Sequence, residues 1–78
     1  MLYLTEKIRA DIEKEIEFSR CKFPPFHSGH EAYAVILEEV EELWDCIKKN
    51  NSDNNKYNET IQIISMCLCY IREVLQRG

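Results

Sequence analysis

The chain has 78 residues, a formal net charge of −4 and a hydrophobic fraction of 45%. That size gives a single domain, residues 1–78, close to the lower limit at which one core suffices without disulfides, metal or a partner subunit. Scattered lysines and arginines in an acidic chain argue against nucleic acid or an anionic membrane as partner. No apolar run approaches the roughly 18 to 20 residues of a membrane span. Met1-Leu2-Tyr3-Leu4 lacks the charged start and long apolar centre of a signal peptide, so the expected location is the cytoplasm.

Leu4, Ile8, Ile12 and Ile16 recur every four residues between charged positions, which predicts an amphipathic helix over about residues 5–21 with Thr5 as its cap. Lys22-Phe23-Pro24-Pro25-Phe26-His27 cannot continue it, because proline removes a donor and clashes with the preceding turn. Ser28 and Glu31 stand at the spacing of a capping box, so a second helix is expected from there to about Lys49. Its packing face would hold Ala32, Val35, Leu37, Val40, Leu43 and Ile47. Asn50 to Asn55 is polar and turn-prone and is read as an exposed loop. The third helix, about Tyr57 to Gln76, carries two apolar stripes: Ile61, Ile64, Leu68, Ile71 and Leu75, and beside them Ile63, Cys67, Tyr70 and Val74. In so short a chain, one stripe can face the other helices while the second faces another subunit. The expected architecture is all-α: three helices joined by short connectors, assembling into an oligomeric helical bundle, a homodimer or homotetramer.

Four cysteines lie in helical or apolar surroundings and are read as reduced, mostly buried thiols. Cys21, His27 and His30 are close in sequence, but their spacing matches no recurrent zinc pattern. The unusual stretch is Glu38-Glu39-Val40-Glu41-Glu42-Leu43-Trp44-Asp45. At ~100° per residue, Glu31, Glu38, Glu42 and Asp45 line one strip of the second helix with Glu39 and Glu41 flanking it. Like charges three and four apart destabilise a helix by roughly 0.2 to 0.5 kcal/mol per pair. Either solvent and salt screen this strip, or a hard divalent cation such as Mg²⁺ sits among its oxygens, often with substrate phosphates.

Glu38-Glu39-Val40-Glu41-Glu42 resembles the EExxE signature of the all-α nucleoside triphosphate pyrophosphohydrolases. The run Ser28-Gly29-His30-Glu31-Ala32-Tyr33-Ala34-Val35-Ile36-Leu37 resembles the phage-associated, MazG-like branch. Glu59-Thr60-Ile61-Gln62 is similar to the second family motif, ExxD, with glutamine in place of the aspartate. The resemblance implies that Glu39, Glu42 and Glu59 bind Mg²⁺, or Mn²⁺ in its place. Gln62 would add an amide oxygen without charge, which lowers metal affinity and leaves substrate phosphate to complete the shell. Glu38 would support the shell or orient water as the candidate catalytic base.

The implied reaction is hydrolysis of a nucleoside triphosphate to the monophosphate and pyrophosphate. Lys48, Lys49 and Arg72 are the cations available for phosphate, and Phe23, Phe26, His27, Tyr33 and Trp44 the rings available for a base. Gln62 also opens a rival reading, a noncatalytic helical interaction or nucleotide- or metal-binding protein with a degenerate metal site.

Overall fold

A computed structural model describes residues 3–77, so Met1 and Leu2, which carry half of the signal-peptide reading, fall outside the described residues together with Gly78. Three helices follow in order: α1 (Glu6–Lys22), α2 (Gly29–Lys48) and α3 (Asp53–Tyr70), the last running into a π-helical turn at Ile71–Leu75. Each helix begins on a hydroxyl. Thr5 accepts from the Ile8 amide, Ser28 from the Glu31 amide and Ser52 from the Asn55 amide, which satisfies an amide that the first turn would leave without a partner. Glu31 answers Ser28 as expected, but the amide that donates to its carboxylate is that of His27, at 3.0 Å.

The connector between α2 and α3 is shorter than the composition of Asn50 to Asn55 predicts. Asn50 takes a left-handed conformation with φ 52. Its amide donates to the Ile47 carbonyl at 3.1 Å and that of Asn51 to Cys46 at 2.9 Å, the paired bonds of a Schellman cap. Ser52 then opens α3 at once. Asp53, Asn54 and Asn55 are poor helix formers, yet they lie in the first turn, where short polar side chains are favoured.

The main helix pairings are α2 on α3 and α1 on α3. The core joins Phe26 of the proline connector to Ala32, Met66 and Cys69, with Ile16, Val35, Ile36, Tyr70 and Val74 packed around them. The innermost strip of α3 is therefore neither of the two predicted stripes. Fully buried Ser65 donates to the Ile61 carbonyl at 2.8 Å and lies 3.5 Å from that of Ile12. Small side chains such as Ser65 and Ala32 let the helix axes approach, and flexible Met66 fills what remains. Of the first predicted stripe, Ile61 is buried, but Ile64, Leu68, Ile71 and Leu75 are exposed, Leu68 by 43%. On α2, Ala32 and Val35 turn inward as expected, whereas Leu37, Val40 and Ile47 stay on the surface beside Tyr33 and Trp44. Only Cys69 of the four free thiols is buried and Cys21 is exposed, which corrects the reading of mostly buried cysteines. No helix among the described residues is long and apolar enough to cross a membrane.

The π turn carries the contact that fastens α1 to the end of α3. Arg20 donates to both Glu73 oxygens at 2.7 and 2.8 Å, and the Phe26 amide donates to the same carboxylate at 2.9 Å. Burial by itself would raise the Glu73 pKa, but the Arg20 bonds and the Phe26 amide outweigh it and hold the carboxyl below its ordinary value. A lowered carboxyl pKa contributes stability that is present above the unfolded value and lost as pH falls through the folded one. Glu73→Gln should cost about 2 kcal/mol near neutral pH and cost less as the solution is acidified. Denaturant unfolding at two pH values checks this. Equal stability of variant and native chain at both would show that the pair contributes nothing.

Candidate metal centre and cleft

Glu39 sits one helical turn before Glu42 on α2, and Glu59 approaches from the second turn of α3. Pairing of α2 with α3 brings one oxygen of each to within 4.8 Å of the others. Among the described residues, these three form the group of acidic, histidine or cysteine side chains able to share an ion. Cys21, His27 and His30 are not brought together in such a group. Among the described residues none of the three carboxylates is in an ion pair, and Glu59 Oε2 is buried without a hydrogen-bond partner there. An anionic oxygen shut away from water and protein donors is costly.

The electrostatics follow from this crowding. Burial first, then the charges of Glu42 and Glu59, push the Glu39 pKa up to about 8. Burial and Glu42 also raise that of Glu59, with Glu15 of α1 adding repulsion from across the cleft. Gln62, one turn beyond Glu59, lies against Glu39. With its amide nitrogen turned to that carboxylate it donates to Oε2 and, at 3.3 Å, to Oε1. In this orientation Gln62 steadies Glu39 as a donor, and its carbonyl oxygen is not spent on Glu39. Glu38 is exposed beside Glu39 and lines the adjoining groove.

That groove, about 420 Å³, has Phe18, Ser19, Arg20 and Phe23 on the side of α1, Val35, Glu38 and Glu39 on α2, and Gln62 and Met66 on α3. A second groove of about 470 Å³ runs between α1 and the start of α3 and shares Glu15, Phe18 and Gln62 with the first. Of the predicted base-stacking rings, Phe23 is on the groove, Phe26 is in the core, and His27, Tyr33 and Trp44 line neither groove. Lys48 pairs with Asp45 and stands over Trp44, Lys49 caps α2, and Arg72 lines a separate groove with Ile16, Leu68 and Ile71. The residues missed from sequence are Phe18, Lys7 and Lys14. Their signal was the strip Lys7, Asp11, Lys14, Phe18 along α1, with spacings of four, three and four.

Raised carboxyl pKa values carry a stability consequence. A folded chain that keeps the Glu39 proton up to pH about 8, while the unfolded chain releases it near its ordinary value of 4.5, loses stability as pH rises between the two. The metal-free melting temperature should therefore fall from pH 5 to pH 8. Mg²⁺ at a hundredfold excess over Kd should add about 2.7 kcal/mol, about 4 to 8 °C per kcal/mol for a domain of this size. One fixed Mg²⁺ concentration should stabilise more at the higher pH, where fewer protons compete for the carboxylates. Thermal melts in chelator and in millimolar Mg²⁺ check this, and a melting temperature indifferent to both pH and metal would contradict it.

The fold and cleft define a small all-α chain with a three-carboxylate centre between two helices. Comparison with protein families, curated proteins and solved structures returned no match.

Proposed function

We propose that the chain is a Mg²⁺-dependent nucleoside triphosphate pyrophosphohydrolase, with Mn²⁺ able to replace Mg²⁺. The observation that carries this reading is the convergence of Glu39, Glu42 and Glu59 within 4.8 Å, one of their oxygens buried and unpartnered. Oxygen donors of this kind fit a hard divalent cation, and the likeness to the EExxE family supplies the reaction.

A bound ion would neutralise phosphate charge and lower the pKa of water. The chain's own residues do the rest. Glu38, exposed beside the centre, accepts the proton of the attacking water. The water oxygen bonds to the α-phosphorus as the bond from that phosphorus to the bridging oxygen breaks. Pyrophosphate leaves with the electron pair, and the nucleoside monophosphate remains. Phe18 and Phe23, partly exposed with the Lys22 ammonium over each ring, offer ring surface for a base in the adjoining groove. We also propose that copies pair through the exposed apolar stripes of α3 and α2, as a homodimer or homotetramer.

The deciding experiment is pyrophosphate release from ribo- and deoxyribonucleoside triphosphates with Mg²⁺ or Mn²⁺. Release in the presence of metal and none in chelator supports the reading; no release from any of them, by a folded chain, overturns it. One observation favours the noncatalytic rival: Gln62 is placed as a donor to Glu39 and supplies no charge to an ion.

A further inference from the structure

We propose that the groove between α1 and the start of α3 is the subsite for the β and γ phosphates, with Lys14 as its main positioning residue, which fixes the direction in which substrate lies along the cleft. This rests on the nucleotide reading and adds a polarity to it. Lys7, Asp11, Lys14 and Glu15 form the α1 wall, and Asn54, Tyr57 and Asn58 stand opposite on α3. The Asp11 charge is already answered: Oδ2 accepts from the Tyr57 hydroxyl at 2.6 Å and from Lys7 at 2.8 Å. Glu15 accepts from the Ser19 hydroxyl at 3.1 Å. Lys14, in contrast, is in no ion pair among the described residues. Its ammonium and the amides of Asn54 and Asn58 are the donors left over in this groove.

The neighbouring groove shares Phe18 and offers more ring and apolar surface, adding Phe23, Val35 and Met66 to Glu38 and Glu39. Arg20, the cation among its described lining residues, is already held by both Glu73 oxygens, and the Lys22 ammonium lies over the Phe18 and Phe23 rings. Gln62 belongs to both grooves and touches Glu39, so the carboxylate centre adjoins their junction. A nucleotide whose α-phosphorus lies at that junction has two directions available. Its base suits the aromatic groove, where stacking needs only a ring face, and its multiply charged end suits the groove with an uncommitted ammonium, since charge-assisted hydrogen bonds are roughly twice as strong as neutral ones.

The test is calorimetric titration of the full chain with Mg²⁺ and inorganic pyrophosphate, or with a nucleoside monophosphate, beside steady-state kinetics. Lys14→Glu should weaken pyrophosphate binding and raise KM for the triphosphate by about tenfold or more, with monophosphate affinity nearly unchanged, and Lys14→Arg should restore binding. Lys14→Gln replaces Lys14→Glu if the charge reversal unfolds the chain. Pyrophosphate affinity that is undetectable in the native chain, unchanged in folded Lys14 variants, or reduced no more than monophosphate affinity would overturn the subsite. If pyrophosphate binds through Lys14 but no triphosphate is hydrolysed, the subsite stands and the enzymatic reading falls. If triphosphates are hydrolysed equally well by the native chain and Lys14→Glu, the enzyme stands and the subsite falls.

Discussion

Replacing Glu39, Glu42 or Glu59 by glutamine should lower Mg²⁺-dependent pyrophosphate release at least about a hundredfold, because under the proposed function each change removes one full charge from the three-carboxylate centre that would hold the ion stabilising the transition state. The same substitutions should leave the metal-free fold as stable as before or raise its melting temperature. Each relieves repulsion among oxygens that lie within 4.8 Å of one another, and Glu39→Gln removes the carboxyl that burial and its neighbours push up to about 8. Opposite movements of activity and stability separate a metal centre from a damaged fold. Gln62→Asp gives the complementary result: a fourth carboxylate should tighten Mg²⁺ binding and raise activity where the native chain is slow, while making the metal-free protein less stable. An assay of released pyrophosphate beside circular-dichroism melts checks both. The enzymatic reading is overturned if the three glutamine variants keep native activity, or if neither the native chain nor Gln62→Asp releases pyrophosphate while folded.

The native chain should sediment at more than one chain's mass at micromolar concentration, and Leu68→Lys or Ile71→Lys should take it to the monomer or unfold it. Within one chain Leu68 and Ile71 are 43% and 41% exposed, so lysine at either is an ordinary surface substitution for a monomer, worth within about ±0.5 kcal/mol. In a buried interface the same lysine is an unpaired charge taken from water, a cost of several kcal/mol. The two cases therefore differ in melting temperature as well as mass. Trp44, the only tryptophan, lies on the exposed stripe of α2 formed with Leu37, Val40 and Ile47, so its emission should shift to the red as the protein is diluted if that stripe joins the interface. A monodisperse monomer in sedimentation, with Leu68→Lys as stable as the native chain, would refute the assembly.

The helix starts at Thr5 and Ser28 were legible in the sequence because caps and prolines act over a few residues of backbone. The acidic centre was legible in part: Glu38, Glu39 and Glu42 form a conspicuous run on one helix, and the family likeness singled out Glu59. The loop at Asn50 to Asn55 was misread because composition does not show that Asn50 can close α2 in a left-handed turn and let Ser52 start α3 immediately. Tertiary structure alone decided which strip of α3 lies innermost. Hydrophobicity favoured Leu68 and Ile71, but close approach of the helices favoured Ser65, Met66 and Cys69, and steric fit is a property of two surfaces that no single helix displays. The same holds for the cleft. Lys7, Lys14 and Phe18 line a cleft only because α1 packs on α3 and turns that face toward Gln62. Sequence determined the helices and where charge accumulates on them; packing decided which charges meet.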